Sequence, residues 1–142
     1  MKLQLIPNVH RATHRIGLEI ARCPGVSVNQ GEAHILAHLH GQGESSIAEL
    51  HRALAHQRST LTSILDRLTE RNLVTRAVDP SDRRSFRIQL TPAGAHTAAK
   101  IHQQLEGIEK EVLAGVSPAD LEVFTRLITK LAAGKPSVPA VQ

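Results

Sequence analysis

Apolar residues recur every three or four positions over four segments in the first half of the chain, and this is the spacing of amphipathic helices. The predicted helices span about residues 8–22, 29–40, 46–54 and 58–71. Pro24 and Gly25 end the first helix, because the residue before a proline disfavours helical conformation. Ser45 and Ser46 supply a cap for the third.

The predicted fourth helix has two different faces. Its apolar stripe consists of Leu61, Ile64, Leu65 and Leu68. The opposite stripe consists of Ser59, Thr62, Ser63, Asp66 and Arg67. Because the hydroxyl side chains are short and uncharged, this face would let the helix approach another surface closely. Asn72 follows the helix and tolerates the left-handed backbone conformation that often ends one.

The apolar period changes after the fourth helix. Residues 73–78 and 85–90 are predicted as two short strands, and the polar segment 79–84 between them as a six-residue turn with Arg83 and Arg84 at its end. A projecting hairpin with arginines at its tip is typical of a wing that contacts an anionic partner. Three helices, a fourth with a small polar face and a basic hairpin predict a mainly α fold with a winged helix-turn-helix.

Two further helices are predicted after the hairpin. Thr91 and Pro92 begin a long helix, whose heptad-like apolar seam consists of Ala98, Ile101, Leu105, Ile108 and Val112. Ser117 caps a last helix, whose apolar stripe consists of Leu121, Phe124, Leu127, Ile128 and Leu131. Because long apolar helices at the ends of a short chain are best buried against a second copy, the sequence favours a homodimer. Residues 134–142 are predicted to be a disordered tail.

The charge of the chain favours a polyanionic partner. Its 142 residues include 17 Lys and Arg against 13 Asp and Glu, which gives a net charge of +4. Segment 56–90 contains seven arginines and four acidic residues, so the positive charge is concentrated in the predicted fourth helix and hairpin. Arginine is the side chain that reaches phosphates and groove edges with planar geometry.

Several classes of protein are disfavoured. The sequence has no Gly-rich phosphate loop, nucleophile elbow or pair of catalytic carboxylates, which argues against an enzyme, and we expect no cofactor. The single cysteine, Cys23, excludes a disulfide framework within the chain. Because neither a membrane-spanning apolar run nor a secretion signal is found, we expect a cytoplasmic protein.

Residues 46–94 resemble the MarR family of bacterial transcriptional regulators. The resemblance is carried by LDRL at 65–68, Asn-Leu-Val-x-Arg at 72–76, DPSDRR at 79–84 and LTPAG at 90–94. With the flanking helices it covers about residues 8–133. The chain departs from the family's pattern at His51 and at Ala55 and His56, near the turn before the fourth helix. The resemblance implies an obligate homodimer that binds a pseudo-palindromic operator, usually as a repressor, and is released by a small ligand or by oxidation.

The resemblance also implies how the chain is divided. Residues 1–28 and 92–133 would form a helical dimerisation domain, and residues 29–91 a winged helix-turn-helix DNA-binding domain with a two-stranded β wing. The predicted dimer interface includes Ile16, Ile101, Leu105, Ile108, Leu121, Phe124 and Leu131. Two recognition helices would then lie about 34–36 Å apart, which is one turn of DNA.

The predicted DNA-binding residues lie on the fourth helix and on the hairpin. They are Gln57, Arg58, Ser59, Thr60, Thr62, Ser63, Arg67, Arg83 and Arg84. The resemblance implies that Arg84 reaches the minor groove and that Asp82 holds it, while Asp66 pairs with a wing arginine. Thr62 and Ser63 offer only short hydrogen bonds or contact with a thymine methyl, so shape and wing contacts are expected to provide much of the specificity.

The sequence does not determine the signal to which such a regulator would respond. The family binds anionic aromatic ligands in a cleft, which here would draw on Arg11, Arg15, His34 and His38. Two pairs of histidines, His10/His14 and His34/His38, have the i, i+4 spacing of metal ligands, but no tetrahedral set is completed and no metal site is predicted. Cys23 lacks the tyrosines that accompany the family's sensor cysteines, which favours an inert thiol. The alternatives are a metal-responsive repressor and a winged-helix protein that regulates through a protein partner.

Overall fold

A computed structural model describes residues 1–54 and 57–134, in which the chain forms six helices and three short strands. The helices are α1 (Ile6–Ala21), α2 (Gln30–Gln42), α3 (Ile47–Leu54), α4 (Arg58–Glu70), α5 (Pro92–Leu113) and α6 (Pro118–Ala133). The strands are β1 (Ser45–Ser46), β2 (Val74–Asp79) and β3 (Asp82–Leu90). The predicted mainly α winged-helix fold is therefore confirmed. The described residues do not include Ala55 and His56, where the sequence departs from the family's pattern, nor residues 135–142 of the predicted tail.

Side chains cap the helices where the sequence indicated. The Ser46 hydroxyl accepts a hydrogen bond from the Glu49 backbone N–H (3.1 Å), and the Glu49 carboxylate accepts one from the Ser46 N–H (3.0 Å). This reciprocal capping box fixes the first turn of α3. Thr91 and Ser117 cap α5 and α6 by accepting hydrogen bonds from the Gly94 and Asp120 N–H groups.

The sheet is antiparallel with the strand order β1-β3-β2. The sequence did not predict β1, in which Ser45 and Ser46 pair with Ile88 and Arg87. A strand of two residues contains no alternation from which it could be recognised, and only its pairing with β3 identifies it.

The predicted six-residue turn is wrong, because the two strands extend into it. Asp79 and Asp82 face each other across the hairpin, and only Pro80 and Ser81 connect them. The physical reason is a local hydrogen-bonded turn, in which Asp79 Oδ1 accepts from both the backbone N–H (2.9 Å) and the hydroxyl (2.7 Å) of Ser81. Arg83 and Arg84 consequently lie on β3 and not at the tip.

The core gathers apolar residues from α1 to α5 and from the sheet. All four residues of the apolar stripe of α4 are buried, and burying each stabilises the fold by about 1.5–3 kcal/mol. Ile101 was predicted in the dimer interface, but it is fully buried in the core of its own chain. Ile16 and Leu105 also pack against this core while partly buried. The prediction for Ile101 is thus corrected, because the inward seam of α5 is covered within the chain.

The junction between β2 and α5 depends on two backbone details. Asn72 has a φ of 58°, the left-handed conformation predicted after α4. At Gly94, an added Cβ would lie 1.8 Å from the carbonyl oxygen of Leu73, so only glycine fits there. The Thr91 hydroxyl donates to the Asn72 carbonyl (2.7 Å) and completes the junction.

The chain divides into two compact units, the first Met1–Ile108 and the second from Glu109 onwards. The second unit contains α6, and every residue of this helix is described. None of its side chains is buried, and its exposed large apolar residues are Leu121, Val123, Phe124, Leu127 and Leu131. Within the described residues, no helix is long and apolar enough to cross a membrane.

Candidate nucleic-acid interface

The start of α4 presents exposed polar side chains and free backbone donors. Gln57 precedes the helix in an extended conformation, and its side chain makes no cap hydrogen bond. The first turn of α4 contains no acidic residue, so the positive end of the helix dipole is not neutralised locally. Six of the predicted DNA-binding residues are exposed here: Gln57, Arg58, Ser59, Thr60, Thr62 and Ser63. Together these features suit an anion or a DNA groove.

Thr62 is exposed, but its hydroxyl group already donates a hydrogen bond within α4. Its Oγ1 donates to the carbonyl oxygen of Arg58 one turn earlier in α4 (3.0 Å). The outward surface of Thr62 therefore consists of its methyl group and an accepting oxygen lone pair. This narrows the contacts available to the side chain to an apolar contact, as with a thymine methyl, or a hydrogen bond from a base amino group.

The wing places both of its predicted arginines on exposed positions of β3. Arg83 and Arg84 follow directly after the tight turn. The carboxylate of Asp82 accepts a hydrogen bond from the backbone N–H of Arg84 (3.0 Å). Asp82 therefore binds the backbone of Arg84. The resemblance implied that Asp82 holds Arg84, and this hydrogen bond holds its backbone and not its guanidinium group.

A cavity of about 500 Å³ brings three arginines from three elements to one surface. Arg52 comes from α3, Arg58 from the first turn of α4 and Arg84 from β3. Thr62 and Phe86 also line this cavity. The surface formed by Arg52, Arg58, Thr62, Arg84 and Phe86 is called the basic cleft below. Arg52 is absent from the sequence-based prediction, because nothing in the spacing of α3 distinguishes it from an ordinary solvated arginine.

A second contact fastens the wing to α4. Asp66 Oδ1 lies 2.6 Å from Arg76 Nη2, which makes a hydrogen-bonded ion pair between α4 and β2. The sequence predicted that Asp66 pairs with a wing arginine, and the structure identifies Arg76 as that arginine. Because the pair joins α4 to β2, it sets the position of the wing relative to α4.

Arg67 points toward α2. Its Nε lies 3.7 Å from Glu32 Oε1, and Arg71 Nη1 lies 3.3 Å from Glu32 Oε2. Glu32 is buried in the first turn of α2. The sequence analysis did not single out Glu32, since a glutamate near a helix start is expected for the helix dipole alone.

The base of the wing is held by charged side chains. The carboxylate of Glu44 accepts hydrogen bonds from the Arg87 guanidinium and the Gln89 amide, and Arg87 Nη2 also donates to the Glu44 carbonyl (3.0 Å). Asp79 Oδ2 lies 3.7 Å from Arg87 Nη1. Hydrogen bonds from Gln89 and then Arg87 lower the pKa of Glu44, and the hydroxyl of Ser81 above all lowers the pKa of Asp79. The hydrogen bond to Glu44 raises the pKa of Arg87. Arg87 is thereby held in the sheet.

Two of the predicted effector-binding residues, Arg11 and His38, line two different cavities. Arg11 lines a cavity with Lys2, Gln4 and Pro7, whereas His38 lines a different one with Glu44 and Arg52. Arg15 Nε lies 3.9 Å from Glu19 on the same helix. The prediction of a ligand pocket formed by Arg11, Arg15, His34 and His38 therefore gains no support from these cavities.

The candidate sensor residues have structural surroundings. Cys23 is buried, and its Sγ lies 3.7 Å from the Lys100 carbonyl oxygen. The rings of His40 and His102 are 4.9 Å apart between centroids, which joins α2 to α5. Over residues 1–54 and 57–134, no three His, Cys, Asp or Glu side chains are grouped so that they could hold a metal ion.

Comparison with known proteins agrees with this geometry. The family model described as MarR family matches residues 28–86, which includes α2, α3, α4 and β2. In all, 220 solved chains match the structure. One of these structures is BpsR of Bordetella bronchiseptica, whose description concerns the regulation of its DNA binding by 6-hydroxynicotinic acid. It is 25% identical to this chain with a TM-score of 0.71, and the match covers 93% of this chain and 95% of that chain.

Two further structures have the same fold at lower identity. MepR of S. aureus in complex with DNA is 19% identical with a TM-score of 0.74, and the match covers 92% of this chain and 96% of that one. The transcription regulator MarR of Oenococcus oeni is 14% identical with a TM-score of 0.75, over 92% of this chain and 96% of that one. The match to the MarR family model, together with a solved structure described as a transcription regulator, agrees with the prediction that this chain is not an enzyme. The resemblance inferred from the motifs is confirmed as well: residues 28–86 match the MarR family model, and the chain has the winged-helix fold of the solved MarR structures.

Proposed function

We propose that this protein is a DNA-binding transcriptional regulator that acts as a homodimer on a pseudo-palindromic operator. The observation that carries the proposal is the basic cleft, in which Arg52, Arg58 and Arg84 converge from α3, α4 and the wing. Three cations on one surface beside the exposed start of a helix suit the negative charge of a phosphate backbone. DNA binding by MepR, a protein of the same fold, supports the same assignment.

The proposed docking follows from the two projecting elements. The exposed first turns of α4 enter the major groove, where Thr62 and Ser63 contact base edges over short distances. Arg83 and Arg84 on β3 contact the neighbouring minor groove or its phosphates. The Asp66–Arg76 pair keeps these two contacts at a fixed separation.

The proposed homodimer rests on the exposed apolar surface of α6. Phe124 is 59% exposed and Leu127 is 51% exposed in the single chain, although both belong to the apolar stripe of an amphipathic helix. A second copy would cover these side chains and would place a second recognition helix on the next turn of DNA. Leu121 and Leu131 are exposed on the same helix and belong to the proposed interface.

Repression and release by a small ligand are the expected mode of regulation. A repressor occupies the operator until an effector lowers its affinity for DNA, and the effector class proposed here is an anionic aromatic acid. Regulation of DNA binding in BpsR by 6-hydroxynicotinic acid supports this class. A cytoplasmic location accords with such a role.

The proposal is tested by fluorescence anisotropy with labelled DNA from upstream of the protein's own gene. We expect tight binding that saturates at one dimer per site, resists scrambled competitor DNA and weakens steeply between about 50 and 200 mM salt. Binding equal to that of scrambled DNA, or binding without salt dependence, would contradict the proposal and favour a protein partner. Addition of 6-hydroxynicotinic acid to the complex then tests release, for which the readout is a fall in anisotropy.

A further inference from the structure

Glu32 is a buried acid in the first turn of α2. Its side chain is only 6% exposed, and its backbone N–H donates to the Oδ1 of the N-cap residue Asn29 (2.9 Å). A buried carboxylate is costly unless charged or polar partners compensate it. The start of α2 contributes the positive end of a helix dipole, but the remaining partners come from another helix.

Those partners are Arg67, in the last turn of α4, and Arg71, the C-cap residue that directly follows α4. Arg71 Nη1 donates a hydrogen bond to Glu32 Oε2 (3.3 Å), and Arg67 Nε lies 3.7 Å from Glu32 Oε1. Each carboxylate oxygen therefore faces one guanidinium. The two arginines are 47% and 43% exposed, so their outer atoms still reach solvent while their charge is directed toward α2.

The same place is the close approach of α2 to α4. A Cβ added at Gly31 would lie 3.0 Å from Ile64 Cδ1, which is tighter than ordinary side-chain contacts. Gly31 and Glu32 are consecutive, so a steric contact and an ionic contact fix α4 against α2 next to each other. Van der Waals contact sets the distance between the helices, and the two ion pairs restrict how α4 rotates about that contact.

Two arginines in this position have a consequence for DNA recognition. Free arginines on a recognition helix bind phosphates of any sequence and so add to non-specific affinity. Arginines that are bound to a buried carboxylate contribute less of their charge to DNA, and contact with the DNA is then left mainly to the small polar residues in the first turns of α4. A carboxylate on α2 that binds these arginines thus lowers the affinity for non-operator DNA more than the affinity for operator DNA.

We propose that Glu32 is a positioning residue that determines DNA specificity, because it binds Arg67 and Arg71 and keeps their charge from the phosphates. This inference rests on the proposed function of DNA binding. It assigns Arg67 to the inner side of α4, although the sequence analysis placed Arg67 among the DNA contacts. Arg58, Arg83 and Arg84 keep their proposed role at the DNA surface.

The test compares the full-length protein with the variant Glu32→Gln, which keeps the shape of the side chain and removes its charge. We measure Kd for operator and for scrambled DNA at four salt concentrations. For Glu32→Gln we expect severalfold tighter binding to scrambled DNA, a slope of log K against log salt that is steeper by about 1–2, and an operator preference about tenfold lower. Glu70→Gln, at an exposed position of α4, removes the same charge and is the matched control, for which we expect no change in preference.

The arginines supply an independent test that does not require Glu32→Gln to fold. If Arg67 is bound to Glu32, Arg67→Gln leaves the salt slope for operator DNA unchanged, whereas Arg84→Gln reduces it by about 1. Adding Arg67→Gln and Arg71→Gln to Glu32→Gln should also abolish the gain in scrambled-DNA binding. Circular dichroism and thermal unfolding verify that each variant is folded.

The outcomes separate this inference from the proposed function. If the unaltered protein does not prefer operator DNA, the proposed function fails and this inference fails with it. If the protein binds its operator but Glu32→Gln keeps the same preference and salt slope, only the inference is overturned. A salt slope that falls in Arg67→Gln as much as in Arg84→Gln would likewise overturn it, since Arg67 would then contact phosphate.

Discussion

Of the two exposed arginines at the start of β3, Arg84 is the one that lines the basic cleft. It is exposed on β3, lines the basic cleft, and has its backbone N–H bound by Asp82. We predict that Arg84→Ala weakens operator binding by about 1–3 kcal/mol, because one phosphate or groove contact is lost from each protomer. The oligomeric state should be unchanged. The measurement is anisotropy at matched salt.

The control for this prediction is Arg22→Ala. Arg22 is exposed at the end of α1, and its Nη1 lies 3.6 Å from Glu19. The substitution removes the same charge away from the basic cleft. Equal losses of affinity in the two variants would show a general charge effect and would refute a specific role of Arg84.

At the base of the wing, Glu44 makes stability depend on pH. Its lowered pKa means that the unfolded chain takes up the proton at a higher pH than the folded chain does. The stabilisation is therefore present at neutral pH and is lost as pH falls through and below about 4, the ordinary range of a glutamate. We expect Glu44→Gln to lower the free energy of unfolding at pH 7, with a difference from the unaltered protein that shrinks by pH 3.

Urea unfolding at a series of pH values measures this difference. Glu111→Gln, at an exposed position of α5, is the matched control and should differ little from the unaltered protein at any pH. A loss of stability in Glu44→Gln that is the same at pH 3 as at pH 7 would show that packing of the side chain, and not its ionisation, is responsible.

Among the elements, the start of α5 tolerates the least change. A methyl group at Gly94 would lie 1.8 Å from the Leu73 carbonyl oxygen, which belongs to the backbone and cannot move aside as a side chain would. We predict that Gly94→Ala destabilises the protein by more than about 3 kcal/mol, the upper range for single substitutions, or prevents folding. Thermal unfolding measures the effect.

Gly107 provides the comparison within the same helix. An added Cβ there meets nothing within 4 Å, so Gly107→Ala should stabilise α5 by about 0.4–1 kcal/mol through its better helix propensity. If both alanine variants unfold at similar temperatures, the close contact between Gly94 and Leu73 is not essential to the fold.

For the molecule as a whole, the exposed apolar stripe of α6 indicates which substitution would dissociate the proposed dimer. Phe124→Asp places a charge where the proposed interface would bury it, and we expect the dimer to dissociate into monomers. Thr129→Asp adds the same charge on the other face of α6 and should leave the dimer intact. Analytical ultracentrifugation distinguishes these results, and a Phe124→Asp variant with the mass of a dimer would argue against this interface.

Operator binding connects the oligomer to the function. A monomer presents one recognition helix and half of the phosphate contacts, so the affinity of Phe124→Asp for a two-fold operator should fall far more than its affinity for scrambled DNA. Comparison of the two affinities separates loss of the dimer from damage to the winged helix.

The prediction from sequence was most successful where a local signal decided the structure. The stripe Leu61, Ile64, Leu65 and Leu68 specified the buried face of α4, and Asn72 specified its end, because both follow from neighbouring residues and backbone conformation. The same holds for the capping hydroxyls of Ser46, Thr91 and Ser117. The motifs of residues 46–94 then indicated the family.

Other features depend on residues far apart along the chain and were not predictable. Glu32 meets Arg71 across 39 positions and Glu44 meets Arg87 across 43, and a glutamate at either position carries no sign of its partner. The seam of α5 also shows this limit, because heptad spacing does not indicate whether Ile101 is covered by its own chain or by a second copy.

The sequence by itself determined the helices, the hairpin, the resemblance to the MarR family and the side of α4 that stays exposed, since these depend on periodicity, capping and short motifs. The tertiary structure alone decided that Arg52, Arg58 and Arg84 share one cleft, that Arg76 is the partner of Asp66, and that Arg67 turns toward Glu32. The reason is physical: an amphipathic pattern states which face of an element is buried, whereas the pairing of charges depends on the angle and distance at which two packed elements meet.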